Sequence, residues 1–130
     1  MLRRAHPAGE GGEKLAARFL KKRGYKIIRR NYSCNTGEID IIARDGDCLV
    51  FVEVKSRKSD DGIAPELAVT PQKQRRISMA AVEYRNRRRL FDVNCRFDVV
   101  SIIMPEGEEP EIKLFPDAFP LRLPRHNPTI

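Results

Sequence analysis

The chain has 130 residues, of which 41% are hydrophobic and 33% charged, and a formal net charge of +7. That is one domain's length with apolar residues for one core, and no apolar run is long enough to cross a bilayer. Three cysteines without close pairs, Cys34, Cys48 and Cys95, make neither a disulfide framework nor a zinc site and suggest reduced thiols in a cytoplasmic protein.

Residues 1–9 read as a loose leader whose charged start, Met1-Leu2-Arg3-Arg4, lacks the apolar stretch of a signal peptide. His6 and His126 lie near the ends and read as solvated. A helix is expected from Glu10 to Arg23, with Leu15, Ala16, Phe19 and Leu20 as its apolar stripe and Gly24 as its C-terminal glycine. Strands follow at Tyr25–Tyr32, Gly37–Arg44 and Cys48–Arg57, then a polar loop over residues 58–69. Thr70-Pro71 is a helix start, with threonine as N-cap and proline in the first turn. That helix should run to Arg89 and bury Ile77, Ala80, Ala81 and Tyr84. Arg96–Met104 reads as an interior strand and Glu111–Phe115 as a short edge strand. Residues 116–130 form a Pro-containing tail, with Phe119, Leu121 and Leu123 available to pin it. The order predicts one α/β domain over residues 1–115, a mixed sheet flanked by helices.

Two of these strands carry acids where a core is expected. In Gly37-Glu38-Ile39-Asp40-Ile41-Ile42, alternation puts Glu38, Asp40 and Ile42 on one face. In Leu49-Val50-Phe51-Val52-Glu53-Val54-Lys55 it puts Leu49, Phe51, Glu53 and Lys55 together. If Asp45-Gly46 is a two-residue turn, Arg44 pairs with Asp47, Asp40 with Phe51 and Glu38 with Glu53. Asp40 is then a diagonal neighbour of Glu53. Directly opposed carboxylates are unfavourable in a sheet, and a divalent cation would relieve them, since magnesium accepts one or two carboxylates and completes its shell with water and phosphate oxygen.

The positive charge is clustered at Lys21-Lys22-Arg23, Arg29-Arg30, Lys55-Ser56-Arg57-Lys58, Arg75-Arg76 and Arg87-Arg88-Arg89. Clusters of this kind suit a polyanion, nucleic acid above all, and equally describe a solvated basic surface.

Asp40 followed by Glu53-Val54-Lys55 resembles the PD-(D/E)XK nuclease core, the restriction-endonuclease-like fold. With Glu13 on a first helix, Gly37-Glu38-Ile39-Asp40, Phe51-Val52-Glu53-Val54-Lys55-Ser56-Arg57, a lysine opening the next helix, and Arg96-Phe97-Asp98-Val99-Val100, residues 9–115 closely resemble the YraN family. These are uncharacterised bacterial proteins described as endonuclease-like and similar to archaeal Holliday-junction resolvases. The resemblance implies hydrolysis of a phosphodiester with Mg2+ or Mn2+. It makes Asp40, Glu53 and the Val54 carbonyl metal ligands and Lys55 the group acting on the attacking water or the phosphorane. It adds Glu13 to the metal site, where the bland alternative is an acid complementing the helix dipole. The proline that names the motif is absent, since Ile39 precedes Asp40.

Glu38 is kept as a group supporting the ligands or a second ion, or as an ordinary edge carboxylate. Lys73 in the first turn of a helix opposes its dipole, which a bound phosphate would reverse. Lys73, Arg75, Arg76 and Arg57 are the candidate nucleic-acid contacts. Asp98 reads as the partner of an arginine, and Cys34 and Cys48 as packing or loop residues. The reading is a DNA nuclease, with branched or junction DNA as the substrate suggested by the fold relatives. The two-fold symmetry of a junction suggests a homodimer, although no stripe marks an interface. The rival is a nucleic-acid-binding module that keeps a nuclease fold without turnover. A third reading is an interaction protein whose acids and bases form only salt bridges.

Overall fold

The computed structural model describes residues 7–60, 62–64 and 68–124. Helix α1 (Pro7–Lys22) precedes strands β1 (Lys26–Cys34), β2 (Gly37–Asp45) and β3 (Cys48–Arg57), helix α2 (Pro71–Arg88), and strands β4 (Cys95–Ile103) and β5 (Glu111–Phe119). The strands form one sheet in the order β1-β2-β3-β4-β5. β3 and β4 are parallel, joined across α2, and the other neighbours are antiparallel. The fold is therefore α/β with a mixed sheet between helices, as the element order predicts.

The two faces carry separate cores. Ala16, Ala17 and Leu20 of α1 pack on Ile41, Ala43, Val50, Val52, Val100 and Ile102. Ile77, Ala80, Ala81 and Tyr84 of α2 pack on Ile42, Leu49, Phe51, Phe97 and Val99. Leu15 and Phe19 of the expected α1 stripe are only partly buried, and Ala17 replaces them at the centre.

Local signals account for the helix ends. Thr70 Oγ1 accepts the Lys73 amide at 3.1 Å. At the end of α1, Gly24 has φ +91°, and Tyr25 N donates to Leu20 O and Gly24 N to Lys21 O, each at 3.0 Å. That is a Schellman closure, and the Tyr25 and Leu20 side chains meet in the α1 core.

The helix begins at Pro7, inside the expected leader; residues 1–6, with His6, lie outside the described residues. β5 runs past Pro116 to Phe119, so the tail begins later than the sequence suggests. An edge strand tolerates proline, and here the β4–β5 register shifts between Phe97 and Val99. Asp117 takes φ 51° there, and Phe119 stacks on Phe97 with centroids 5.0 Å apart. Beyond it the Arg122 amide donates to Ser78 Oγ at 2.9 Å and the Arg122 Nε to Gln74 Oε1 at 3.0 Å, holding the chain on α2. Leu121 and Leu123, expected as pins, are exposed. The tail from residue 125, with His126, lies outside the described residues.

Asp98 is fully buried. It accepts from Arg96 Nε at 2.9 Å, from Tyr25 Oη at 2.9 Å and from the Asp117 amide at 2.9 Å. Arg96 also reaches Asp45 Oδ2 at 2.8 Å. The network joins β2, β4, β5 and the exit of α1. Burial first, then the Asp98 carboxylate, push Tyr25 up to about 12.

The β2–β3 hairpin departs from the expected register. Asp45 pairs with Cys48, Arg44 with Leu49 and Ile42 with Phe51, so the turn is Gly46-Asp47 rather than Asp45-Gly46. Gly46 has φ +59° at the first turn position, whereas Asp47 is not in the left-handed region. A turn that needs positive φ only at its first central residue thus displaces one that needs it at both.

Candidate functional site

The shifted register carries Asp40 toward Glu53 rather than Phe51, and the β2–β3 ladder stops at Ile41–Val52. Alternation also fails here. Ile39 and Ile42 both pack on the α2 side, whereas Ile41 packs on the α1 side. On β1, Arg30 opposes Ile41 and Tyr32 opposes Ile39. The intervening Asn31 has φ 55°, a left-handed turn of the chain that moves its neighbours to opposite faces. The expectation that Glu38, Asp40 and Ile42 simply share a face is therefore replaced. Asp40 turns into the opened seam between strands, and its Oδ2 accepts the Val54 amide at 2.8 Å.

Glu53 follows immediately on β3 and is 3% exposed. Burial first, then the Asp40 carboxylate, push its pKa up to about 8, with Lys73 acting in the opposite direction. Lys73 Nζ lies 2.5 Å from Glu53 Oε2, a close ion pair. Lys73 thus reaches from the first turn of α2 into the acid pair. Burial disfavours its ammonium, but Glu53, Asp40 and Glu38 outweigh that and raise its pKa. Lys55 stands in the same field: burial, then Lys73, lower its pKa against the opposing pull of Glu53 and Asp40. Asp40, Glu53, Lys55 and Lys73 therefore act on one another at one end of the central strand.

The other predicted residues are distributed around this group. Glu13 is buried on α1, with Arg30 Nε 3.8 Å from its Oε1. Among the described residues no three His, Cys, Asp or Glu side chains form a metal-holding group. The carboxylates that the structure brings together are two, Asp40 and Glu53. That is too hard and too sparse for zinc but is a number magnesium accepts. Glu53 Oε2 is already in contact with the Lys73 ammonium, which a cation bound there would displace.

Beside the acids a cleft of ≈740 Å³ opens between the β1–β2 turn and the start of α2. Glu38, Lys73 and Arg76 line it, together with Asn35, Thr36 and Thr70. Arg75 is not in that lining, and Arg57 is half-buried at the end of β3. Gly37 forms part of the wall, and a Cβ there would stand 2.7 Å from the Arg76 carbonyl oxygen. No local pattern signals that this turn meets α2, because the contact joins segments far apart in the chain.

The model of the family described as "Uncharacterised protein family UPF0102" matches residues 12–102. The chain belongs to the UPF0102 family. A UPF0102 protein of Syntrophus aciditrophicus is 54% identical over 114 residues, covering 87% of this chain and 88% of the relative. One from Geobacter sulfurreducens is 47% identical, covering 88% and 98%, and one from Desulfosudis oleivorans 42% identical, covering 95% and 98%. The resemblance to the YraN family thus holds, since YraN and UPF0102 name the same family. The UPF0102 match spans every side chain of the acid–lysine group, from Asp40 to Lys73. No helix among the described residues is long and apolar enough to cross a membrane.

Proposed function

We propose that this UPF0102 protein is a divalent-metal-dependent nuclease with a PD-(D/E)XK core, acting on DNA. The observation that carries the reading is Glu53: a carboxylate 3% exposed, beside a second carboxylate, at the end of an apolar strand. Burying an acid beside a half-buried second one is unfavourable, and such sites cluster where chemistry needs them. Asp40 and Glu53, with the Val54 carbonyl, would hold Mg2+ or Mn2+. Such an ion, when bound between these carboxylates, would supply Lewis-acid polarisation of phosphate oxygen and a more acidic water near neutral pH.

The chain's own groups have distinct tasks. The Asp40 bond to the Val54 amide fixes that carboxylate across the open seam. Lys55 orients the attacking water and balances charge developing on the phosphate oxygens. Lys73 balances Glu53 and, at the start of α2, faces the cleft where helix amides favour a phosphate. The cleft admits the backbone, and Arg76 on its wall attracts it. Junction DNA is the substrate suggested by likeness to resolvases.

The test is a cleavage assay with single-stranded, duplex, flap and four-way DNA, with and without Mg2+ or Mn2+. Metal-dependent cleavage lost in Asp40→Ala supports the reading. Salt-dependent binding without metal uptake or cleavage would identify a binding module instead.

A further inference from the structure

A second cleft, ≈530 Å³, opens at the other end of α2, between that helix, the start of β1 and the end of β2. Its lining includes three cations from three elements, Lys26, Arg44 and Arg88, over an apolar floor of Tyr84, Leu90 and Val93, with no acid. Lys26 and Arg44 are direct cross-strand partners. Two like charges in that position repel and destabilise a sheet. None of the three has an ion-pair partner among the described residues. Arg88 stands over the Tyr84 ring, 5.3 Å from its centroid. Its place at the helix C-terminus complements the dipole, but that explains neither Lys26 nor Arg44. Elsewhere the basic side chains are often neutralised: Arg87 by Glu83, Arg96 by Asp45 and Asp98, Arg30 by Glu13. An unneutralised triad around a concavity concentrates positive potential.

The two clefts lie on one seam. Lys73 and Ile77 line the first, Tyr84 and Arg88 the second, at successive helical spacings of four, seven and four. Between them Arg29 lies over the Tyr32 ring at 5.0 Å, and Tyr32 meets Tyr84 edge-on at 5.3 Å. The acid near this stretch, Glu83, is held by Arg87 at 3.0 Å. From Lys73 to Arg88 the helix rises ~22 Å at 1.5 Å per residue. That is roughly six to seven base pairs of duplex at 3.4 Å.

We propose that Lys26, Arg44 and Arg88 form a second phosphate-binding site, which holds a duplex DNA arm along the α2–β1 seam about six to seven base pairs from the acid pair. It rests on the reading of the chain as a DNA-binding protein. A phosphate between Lys26 and Arg44 turns their repulsion into a shared contact, and Arg29 supplies charge along the way. A single strand is too flexible to be held to this separation by its own stiffness. A duplex spans both clefts without that ordering cost.

The experiment measures binding of a fluorescent 20-base-pair duplex and of a six-base-pair hairpin stem by anisotropy, across salt concentrations in EDTA. Lys26→Gln, Arg44→Gln and Arg88→Gln are combined in one variant, all at exposed positions. On the long duplex its slope of log K against log salt should fall by about 0.9 for each phosphate no longer neutralised, up to about 2.7. The difference in slope between the two lengths should shrink by the same amount. A variant with Arg44→Lys and Arg88→Lys should keep the unaltered slope, and thermal unfolding should show both variants folded. If the unaltered protein binds the duplex and the Gln variant keeps its slope, the second site is overturned while the DNA-binding reading stands. If the unaltered protein binds neither DNA, both are overturned.

Discussion

The Lys73 ammonium lies 2.5 Å from Glu53 Oε2, tying the first turn of α2 to the last buried residue of the central strand. Even with this cation beside it, Glu53 is held up to about 8, because burial and Asp40 outweigh the lysine. The folded protein therefore keeps a proton on Glu53 that the unfolded chain releases near 4.5. Metal-free stability should fall as pH rises from about 4.5 to about 8 and level off above it. Lys73, whose pKa is raised, contributes a constant amount across that window. Urea midpoints at pH 5, 6.5 and 8 should show the decline, and Glu53→Gln should flatten it.

Metal uptake and chemistry should separate by residue. Asp40→Ala should abolish Mn2+ binding in calorimetry and, by leaving the Val54 amide without its acceptor, cost about 1–3 kcal/mol of stability. Lys55→Ala should retain Mn2+ binding and lose cleavage. Equal metal titrations for the two variants would show that the division of roles is wrong.

Asp98→Ala should cost about 3–5 kcal/mol in denaturant midpoints, because it leaves the Arg96 charge without its buried partner and also orphans Tyr25 and the Asp117 amide. Asp45→Ala, at the exposed end of the same arginine, should cost about 1 kcal/mol or less. Similar losses for both would mean that Asp98 is not the centre of the network.

Gly37→Ala would bring a Cβ to 2.7 Å from the Arg76 carbonyl, a backbone atom that cannot swing away. Forcing α2 off the sheet should cost about 1–3 kcal/mol. DNA affinity should fall with it, since the same displacement deforms the cleft around Lys73. Unchanged unfolding and binding would show that the β1–β2 turn yields instead.

Arg76→Ala should lower the salt slope of DNA binding by about 1, weakening all sequences alike. Arg75→Ala should change it little, because Arg75 does not line the cleft. Equal effects from the two would imply that the basic run acts through net charge alone.

Much of this molecule is written in short-range pattern. Helical spacing marks Ile77, Ala80, Ala81 and Tyr84 as the buried side of α2, Thr70-Pro71 and Gly24 mark helix ends, and the run from Leu49 to Val54 marks an interior strand. Each rests on interactions within a few residues or on a fixed backbone period, so the sequence alone determines it. The presence of Asp40, Glu53, Lys55 and Lys73 is equally legible. Their arrangement is not. The hairpin turn shifts by one position, with Gly46 at its first place in positive φ and Asp45 kept in the ladder opposite Cys48. The alternation on which the placement of Asp40 depends fails opposite the left-handed Asn31. Lys73 meets Glu53 only because the crossover through α2 makes β3 and β4 parallel neighbours. The extension of β5 past Pro116 needs a register shift against β4. The Lys26–Arg44 pair likewise depends on the β1–β2 register, with its bulge between Ile27 and Arg29. These outcomes are set by contacts between distant segments, whose energies no local pattern contains, and only the packed sheet decides them.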